Sequence, residues 1–163
     1  MKRSTPLRRS TPLRSKAAKP RRTRLPRCAK LRCTRIARID GLCVPHAEKR
    51  ADALFSTWVR TRDRGCTGVG NLGGSCSGPL QAAHIVGRAN KRTRFDPDNV
   101  WTLCASHHVF VDQHHAAGAK YLWATAQLGI AGYDELMRRS LLPGSRIEAI
   151  ESALMWLPVR EAA

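Results

Sequence analysis

LQAAHIVGRANKRTRFDPDNVWTLCASHHVFVD, residues 80–112, reads as four pieces in succession. Leu80 to Ile85 is a short apolar run that carries a histidine, His84, and predicts a strand. The next stretch is polar, contains Arg88, Lys91, Arg92 and Arg94, and closes on the turn sequence Asp96-Pro97-Asp98. Asn99 to Leu103 predicts a second strand, and residues 105–115 a helix. That helix carries His108 and Asp112 four positions apart, so both side chains project from one face and can share a cation. A strand, a loop, a strand and a helix in so short a span predict an α+β fold built on a small ββα finger.

A finger of this size needs a staple, because small domains bury too little surface to be comfortably stable. Cysteines on either side of the finger supply one. Cys66 and Cys76 enclose a glycine-rich loop, and with Cys104 and His107 they form a Cys3His set suited to tetrahedral zinc. Upstream, Cys28-x4-Cys33-x9-Cys43-x2-His46 forms a second Cys3His set, with Gly41 placed to turn the chain before its last two ligands. The two sets use all six cysteines, and four protein ligands at each leave no open position, so both zinc sites read as structural.

His84, Asn99 and His108 stand in the order and spacing of an HNH nuclease, the ββα-metal finger that cuts nucleic acid, and the stretch from about Asp52 to Leu136 resembles that family. It is also similar to the NinG (Rap) phage recombination nucleases in its basic tail, in Trp58-Val-Arg-Thr-Arg-Asp-Arg64 and in Arg94-Phe-Asp-Pro-Asp-Asn99. The resemblance implies a catalytic set of His84, Asn99 and His108. His84 would be the general base that activates water, and an unperturbed pKa of ~6.5 suits that task. Asn99 would hold the loop and orient the base, although a turn cap after Asp98 is equally compatible with it. His108 would bind the catalytic ion, with Asp112 one turn later and His115 a further turn on. His and carboxylate ligands accept Mg²⁺ or another divalent ion, so the metal is left open. Arg88, Lys91, Arg92 and Arg94 would clamp phosphates on either side of the cut, since the planar fork of arginine bonds two oxygens. Two departures stand out. Many HNH proteins carry Asp or His immediately before the base, where this chain has Ala83, and the zinc clamp has His107 where those proteins have a cysteine.

The rest of the chain is read around that finger. Residues 1–27 hold 11 of the 29 lysines and arginines and repeat Arg-Ser-Thr-Pro-Leu-Arg at 3–8 and 9–14. Such a segment buries too little apolar surface to offset its ordering entropy, so it is expected to be disordered, as a phosphate-contacting arm or a solubilising tail. Residues 28–47 form the zinc knuckle and 48–118 the nuclease domain with a helix leading into it. Ala51, Leu54, Phe55, Trp58 and Val59 lie on one face of that helix, which Gly65 ends. Residues 119–163 read as further helices, with a capping box at Ser145-Arg-Ile-Glu148, and either pack on the finger or form a dimer face.

A net charge of +17 argues for a polyanionic partner, and nucleic acid fits best. No run approaches the ~18 apolar residues of a membrane span, and no export signal stands at the start, so the chain is expected to be intracellular, in the host cytoplasm if phage-encoded. The expected function is metal-dependent hydrolysis of DNA, in phage recombination or DNA processing. One finger cuts one strand, so double-strand cleavage needs a homodimer or two events. Two rivals remain: a non-catalytic zinc-dependent nucleic-acid-binding protein, and an adaptor whose zinc modules bind another protein.

Overall fold

The computed structural model describes residues 25–113 and 117–160 of the chain. Most of the basic arm, residues 1–24, lies outside them, as do His114 and His115. The element order is α1 (Val44–Asp63), β1 (Leu80–His84), a 3-10 turn (Pro97–Asn99), β2 (Val100–Cys104), α2 (Ala105–Asp112), α3 (Ala117–Ser140) and α4 (Arg146–Arg160). This is the expected α+β class: four helices around a two-stranded sheet, with two cysteine–histidine clusters beside it.

β1 and β2 pair antiparallel with Leu80 opposite Cys104 and His84 opposite Val100. Successive side chains of a strand point to opposite faces, and the two faces of this sheet bury into different cores. Ala82 and Val100 join Phe55 and Val59 of α1 and Ile150 and Leu157 of α4. Ala83 and Leu103 join Val111 of α2 and Trp123 and Leu136 of α3. The sheet is thus the middle layer of three. Of the C-terminal helices, α3 packs against α2 of the finger and α4 against the lead-in helix α1.

The apolar face of α1 is the one read from its periodicity: Ala47, Ala51, Phe55 and Val59 are buried. Both of its ends differ from expectation. It begins at Val44, so His46 of the knuckle lies in its first turn and the expected border at 47/48 falls inside a helix. The border at 118/119 likewise falls inside α3. At the other end Arg64, not Gly65, takes the left-handed position (φ 59°), its N–H bonding the carbonyl of Arg60. A non-glycine residue there costs roughly 1–2 kcal/mol, and the contacts of the preceding turn show what offsets it. Arg62 donates to the carbonyls of Pro97 (2.8 Å) and Val100 (2.7 Å) and stacks between Trp58 and Trp101, while Asp63 accepts from Thr102 N (2.6 Å). Thr67 N–H then bonds the carbonyl of Thr102 at 2.8 Å. The outer edge of β2 is therefore capped, and among the described residues β1 carries the open edge.

α2 ends at Asp112, earlier than expected, with Gln113 in extended backbone. α3 breaks at Gly129, whose φ of 71° lies in the left-handed region, so the expected stop is a kink within one named element. α4 opens as its capping sequence predicts, with Ser145 Oγ accepting from Glu148 N at 3.4 Å. The α3–α4 junction sits on the inter-strand loop: Asn90 Nδ2 donates to Ser140 O (2.7 Å), and a Cβ at Gly144 would lie 2.5 Å from Arg92 N. Nothing in the local sequence marks that approach.

Phe55 packs edge-on against Phe95 and Trp156 and is 2% exposed, tying α1 to both the loop and α4. Phe55→Ala is expected to lower stability by about 3–5 kcal/mol, measured by urea unfolding. A loss below 1 kcal/mol would mean that the three elements do not share this core.

Candidate active site and zinc clusters

The ligand atoms of Cys28, Cys33, Cys43 and His46 all lie within 4.8 Å of one another, and so do those of Cys66, Cys76, Cys104 and His107. All six thiols are free of disulfides. In the first cluster Cys33 Sγ is 3.8 Å from Cys43 Sγ, and His46 Nδ1 is 3.2 Å from Cys28 Sγ and 3.4 Å from Cys43 Sγ. In the second, His107 Nδ1 stands 3.3, 3.5 and 3.4 Å from the sulfurs of Cys66, Cys76 and Cys104. A tetrahedral zinc with Zn–S of ~2.3 Å and Zn–N of ~2.1 Å has S···S edges of about 3.8 Å and S···N edges of about 3.6 Å. Both clusters therefore have the size and donor set for zinc.

Thiol acidity points the same way. Burial disfavours the Cys28 thiolate, yet hydrogen bonds from the Cys43 backbone and His46 bring its pKa down to about 6. At Cys104 burial is likewise outweighed, by Ser106 and the His107 backbone, again giving about 6. Cys76 is pushed up to about 11, first by burial and then by its neighbours Cys66 and Cys104. A first thiolate in such a group repels a second, and a divalent cation is what relieves that repulsion.

Each cluster is also placed to hold something. Cys28 and Cys43 belong to the core shared by α1 and α4. The second cluster ties the loop after α1 to the start of α2, and Gly68 passes so close to it that a Cβ would meet the His107 ring at 2.9 Å.

Between the open edge of β1 and helix α2 lies a cleft of about 380 Å³ lined by Ala82, His84, Gly87, Arg88, His108, Asp112 and Lys120. It brings together four of the residues singled out from sequence, His84, Arg88, His108 and Asp112. His108 Nδ1 bonds Gln81 Oε1 at 2.7 Å. The amide oxygen can only accept, so Nδ1 carries the proton and Nε2 keeps its lone pair. His108 Nε2 lies 3.2 Å from Asp112 Oδ2, about the separation of two neighbouring ligands on one hard cation. An imidazole nitrogen and a carboxylate oxygen so spaced fit a divalent ion. Burial, against the pull of Asp112, lowers the His108 pKa and so favours the neutral ring that a metal ligand requires.

His84 is fixed in the same manner. Its Nε2 donates to the Arg94 carbonyl at 3.1 Å, which leaves Nδ1 as the acceptor nitrogen. Burial, reinforced by the charge of Arg88, pushes its pKa down to about 4, well under the ~6.5 expected for an unperturbed ring. Asn99 lies outside the cleft, beneath the loop, and is 0% exposed. Its Oδ1 accepts from Val86 N (2.7 Å) and its Nδ2 donates to the carbonyls of Val86 (2.9 Å) and Thr93 (2.8 Å).

The four basic residues of the loop do not share one environment. Arg88 lines the cleft and is exposed, and Lys91 and Arg92 line a separate hollow of about 440 Å³ against α4. Arg94 corrects the expectation of a phosphate clamp: its side chain is only 13% exposed, and its guanidinium is committed to Asp52 and to the Arg88 carbonyl. Ala83 is 1% exposed within the core formed with α3, where a charged ligand would have to be desolvated.

Two residues that contact the His108–Asp112 pair carried no signal in the sequence. Gln81 is three residues before His84 in a strand too short to show a pattern. Lys120, whose Nζ is 3.3 Å from Asp112 Oδ1, belongs to the next helix, and only folding brings it back.

Elemental analysis of purified protein is expected to give about two zinc atoms per chain, and Cys104→Ser about one with a lowered Tm. A metal-free wild type with unchanged Tm would contradict the zinc assignment.

No curated protein and no solved structure matches the chain. A family model described as HNH endonuclease matches residues 59–117, the span that holds the ββα unit, the second cluster and all of the cleft but Lys120; over these residues the chain is similar to the HNH endonuclease family.

Proposed function

We propose that the chain is a metal-dependent endonuclease that hydrolyses DNA phosphodiester bonds, with His84 as general base. The observation that supports this most directly is one cleft lined together by His84, with Nδ1 left as the acceptor nitrogen, by a His–carboxylate pair and by two cations. His108 through Nε2 and Asp112 through Oδ2 would hold the ion. When bound, such an ion neutralises charge building on the phosphoryl group and the leaving 3′ oxygen.

The protein's own groups account for the remaining steps. Arg88 and Lys120 bind phosphate oxygens and hold the phosphorus near the base. His84 takes a proton from water at Nδ1 as the water oxygen attacks phosphorus and the bond to the 3′ oxygen breaks; the departing 3′ oxygen takes a proton from solvent, leaving a 5′-phosphate and a 3′-hydroxyl, and His84 returns its proton to solvent. Asn99 acts through the backbone, keeping the 86–93 segment closed under the cleft, and Arg94 acts through its carbonyl. Arg92 and Lys91, outside the cleft, extend the basic surface toward neighbouring phosphates. The +17 charge favours nucleic acid by releasing its counterions, so binding should weaken steeply with salt. A role in phage recombination rests on the resemblance at Trp58–Arg64 and Arg94–Asn99, and cutting both strands would require two copies or two events. No described helix is long and apolar enough to cross a membrane.

His84→Ala is expected to reduce plasmid nicking by about 10²–10⁴-fold while DNA affinity stays within twofold. A wild type inactive with Mg²⁺, Mn²⁺ and Zn²⁺ alike, yet still binding DNA, would favour the non-catalytic zinc-dependent nucleic-acid-binding protein instead.

The pH profile follows from the depressed pKa of His84. The base works only when deprotonated, so activity is lost as pH falls through that pKa; with a value of about 4, His84 stays neutral from pH 8 to pH 6. The expected kcat/KM for nicking is therefore flat over that range. A fall of about fourfold, as an ordinary imidazole of pKa ~6.5 would give, would contradict the assignment.

A further inference from the structure

The hydrogen bond that sets the tautomer of His84 ends on a residue that is itself held from outside the HNH segment. Arg94 supplies the accepting carbonyl, at 3.1 Å from His84 Nε2. Its side chain reaches α1, where Nε donates to Asp52 Oδ1 (3.1 Å) and Nη2 to Asp52 Oδ2 (2.7 Å), a two-point fork. Nη1 donates to the Arg88 carbonyl at 3.0 Å and lies 3.7 Å from Glu48 Oε1, one turn before Asp52. Glu48 in turn pairs with Arg146 at the start of α4. Asp52 and His84 also line one small hollow with Ala53, Phe55, Ser56 and Arg88, so the carboxylate and the imidazole face the same space.

From this we infer that Asp52 is a positioning residue for His84, acting through Arg94: the fork fixes the Arg94 backbone so that its carbonyl holds the proton on Nε2 and leaves Nδ1 open. The inference rests on the reading of His84 as the base only for its effect on rate; the tautomer is a property of the ring itself. Physically, a carbonyl on a loop without regular structure selects a tautomer only if it stays in place, and three groups fix Arg94. Asn99 holds the loop at Val86 and Thr93, and the ion pair to Asp52 holds the residue that follows Thr93. Neither Asp52 nor Glu48 lies within residues 59–117, so the helix leading into the finger would belong to the working site rather than merely precede it.

The test uses the full chain labelled with ¹⁵N-histidine. Ring ¹⁵N shifts distinguish a protonated from a bare nitrogen, and the His84 signal is identified by its loss in His84→Ala. Wild type should show the Nε2–H tautomer. Asp52→Ala should give a mixture of both tautomers and lower the kcat for nicking about tenfold or more, with DNA affinity within twofold and zinc content unchanged. Arg50→Ala, which removes an exposed ion pair from the same helix to Asp40 ahead of it, should change neither readout. If Asp52→Ala does not fold, Asp52→Asn keeps the shape and removes the charge, and the same shifts are read.

A His84 signal that stays fully Nε2–H in the Asp52 variant, with wild-type kcat, would overturn the inference. Should His84→Ala nick normally, the base assignment fails on its own, and the tautomer measurement still decides what Asp52 does.

Discussion

A two-stranded hairpin is at best marginally stable in water, because it buries one face poorly and leaves both edges unpaired. Every other element of this chain answers that constraint. Helices α1 and α4 cover one face and α2 and α3 the other, so that Ala82 and Ala83, neighbours in sequence, belong to different cores. The C-terminal turn of α1 and Thr67 occupy the outer edge of β2. Among the described residues the edge of β1 is left open, and the cleft lies beside it.

Polar groups are used with the same economy. The loop between the strands has no ladder of hydrogen bonds, so side chains hold it: the buried Asn99 from below, and the half-buried Arg94 toward α1 and Asn90 toward α3. Each of the two cleft histidines has one nitrogen bound to an acceptor and the other free, His84 through the Arg94 carbonyl and His108 through Gln81. Supporting contacts of this kind separate a histidine that could do chemistry from one that merely lies near a surface. Burial acts on both rings in the same direction, lowering their pKa and so favouring the uncharged imidazole.

The two cysteine–histidine clusters, each with the donor set for zinc, stand at different places. One joins the segment from Cys28 to Cys43 to the first turn of α1, and with it Ile39 and Leu42 enter the core under that helix. The other clips the loop after α1 to the first turn of α2 and thereby sets where His108 and Asp112 stand. A closed tetrahedral site is rigid, and rigidity one residue from His108 suits a cleft whose donor atoms must hold their spacing.

The sequence by itself determined the elements and the ligand sets. The 3.6-residue periodicity of α1, the short runs of β1 and β2, the cysteine spacings and the i, i+4 pair on α2 are local patterns, and local patterns survive without knowledge of the fold. Only the tertiary structure decided which charges are free. Arg88 and Arg94 are indistinguishable as loop arginines, yet one faces the cleft and the other is locked to Asp52, a residue 42 positions away. Ala83 looked like a lost ligand and proved to be a core position, while Gln81 and Lys120 carried no signal until folding set them beside His108 and Asp112. Even the pKa of His84, ordinary on paper, belongs to its surroundings. Burial and long-range ion pairing depend on what the rest of the chain brings near, and no window of residues contains that information.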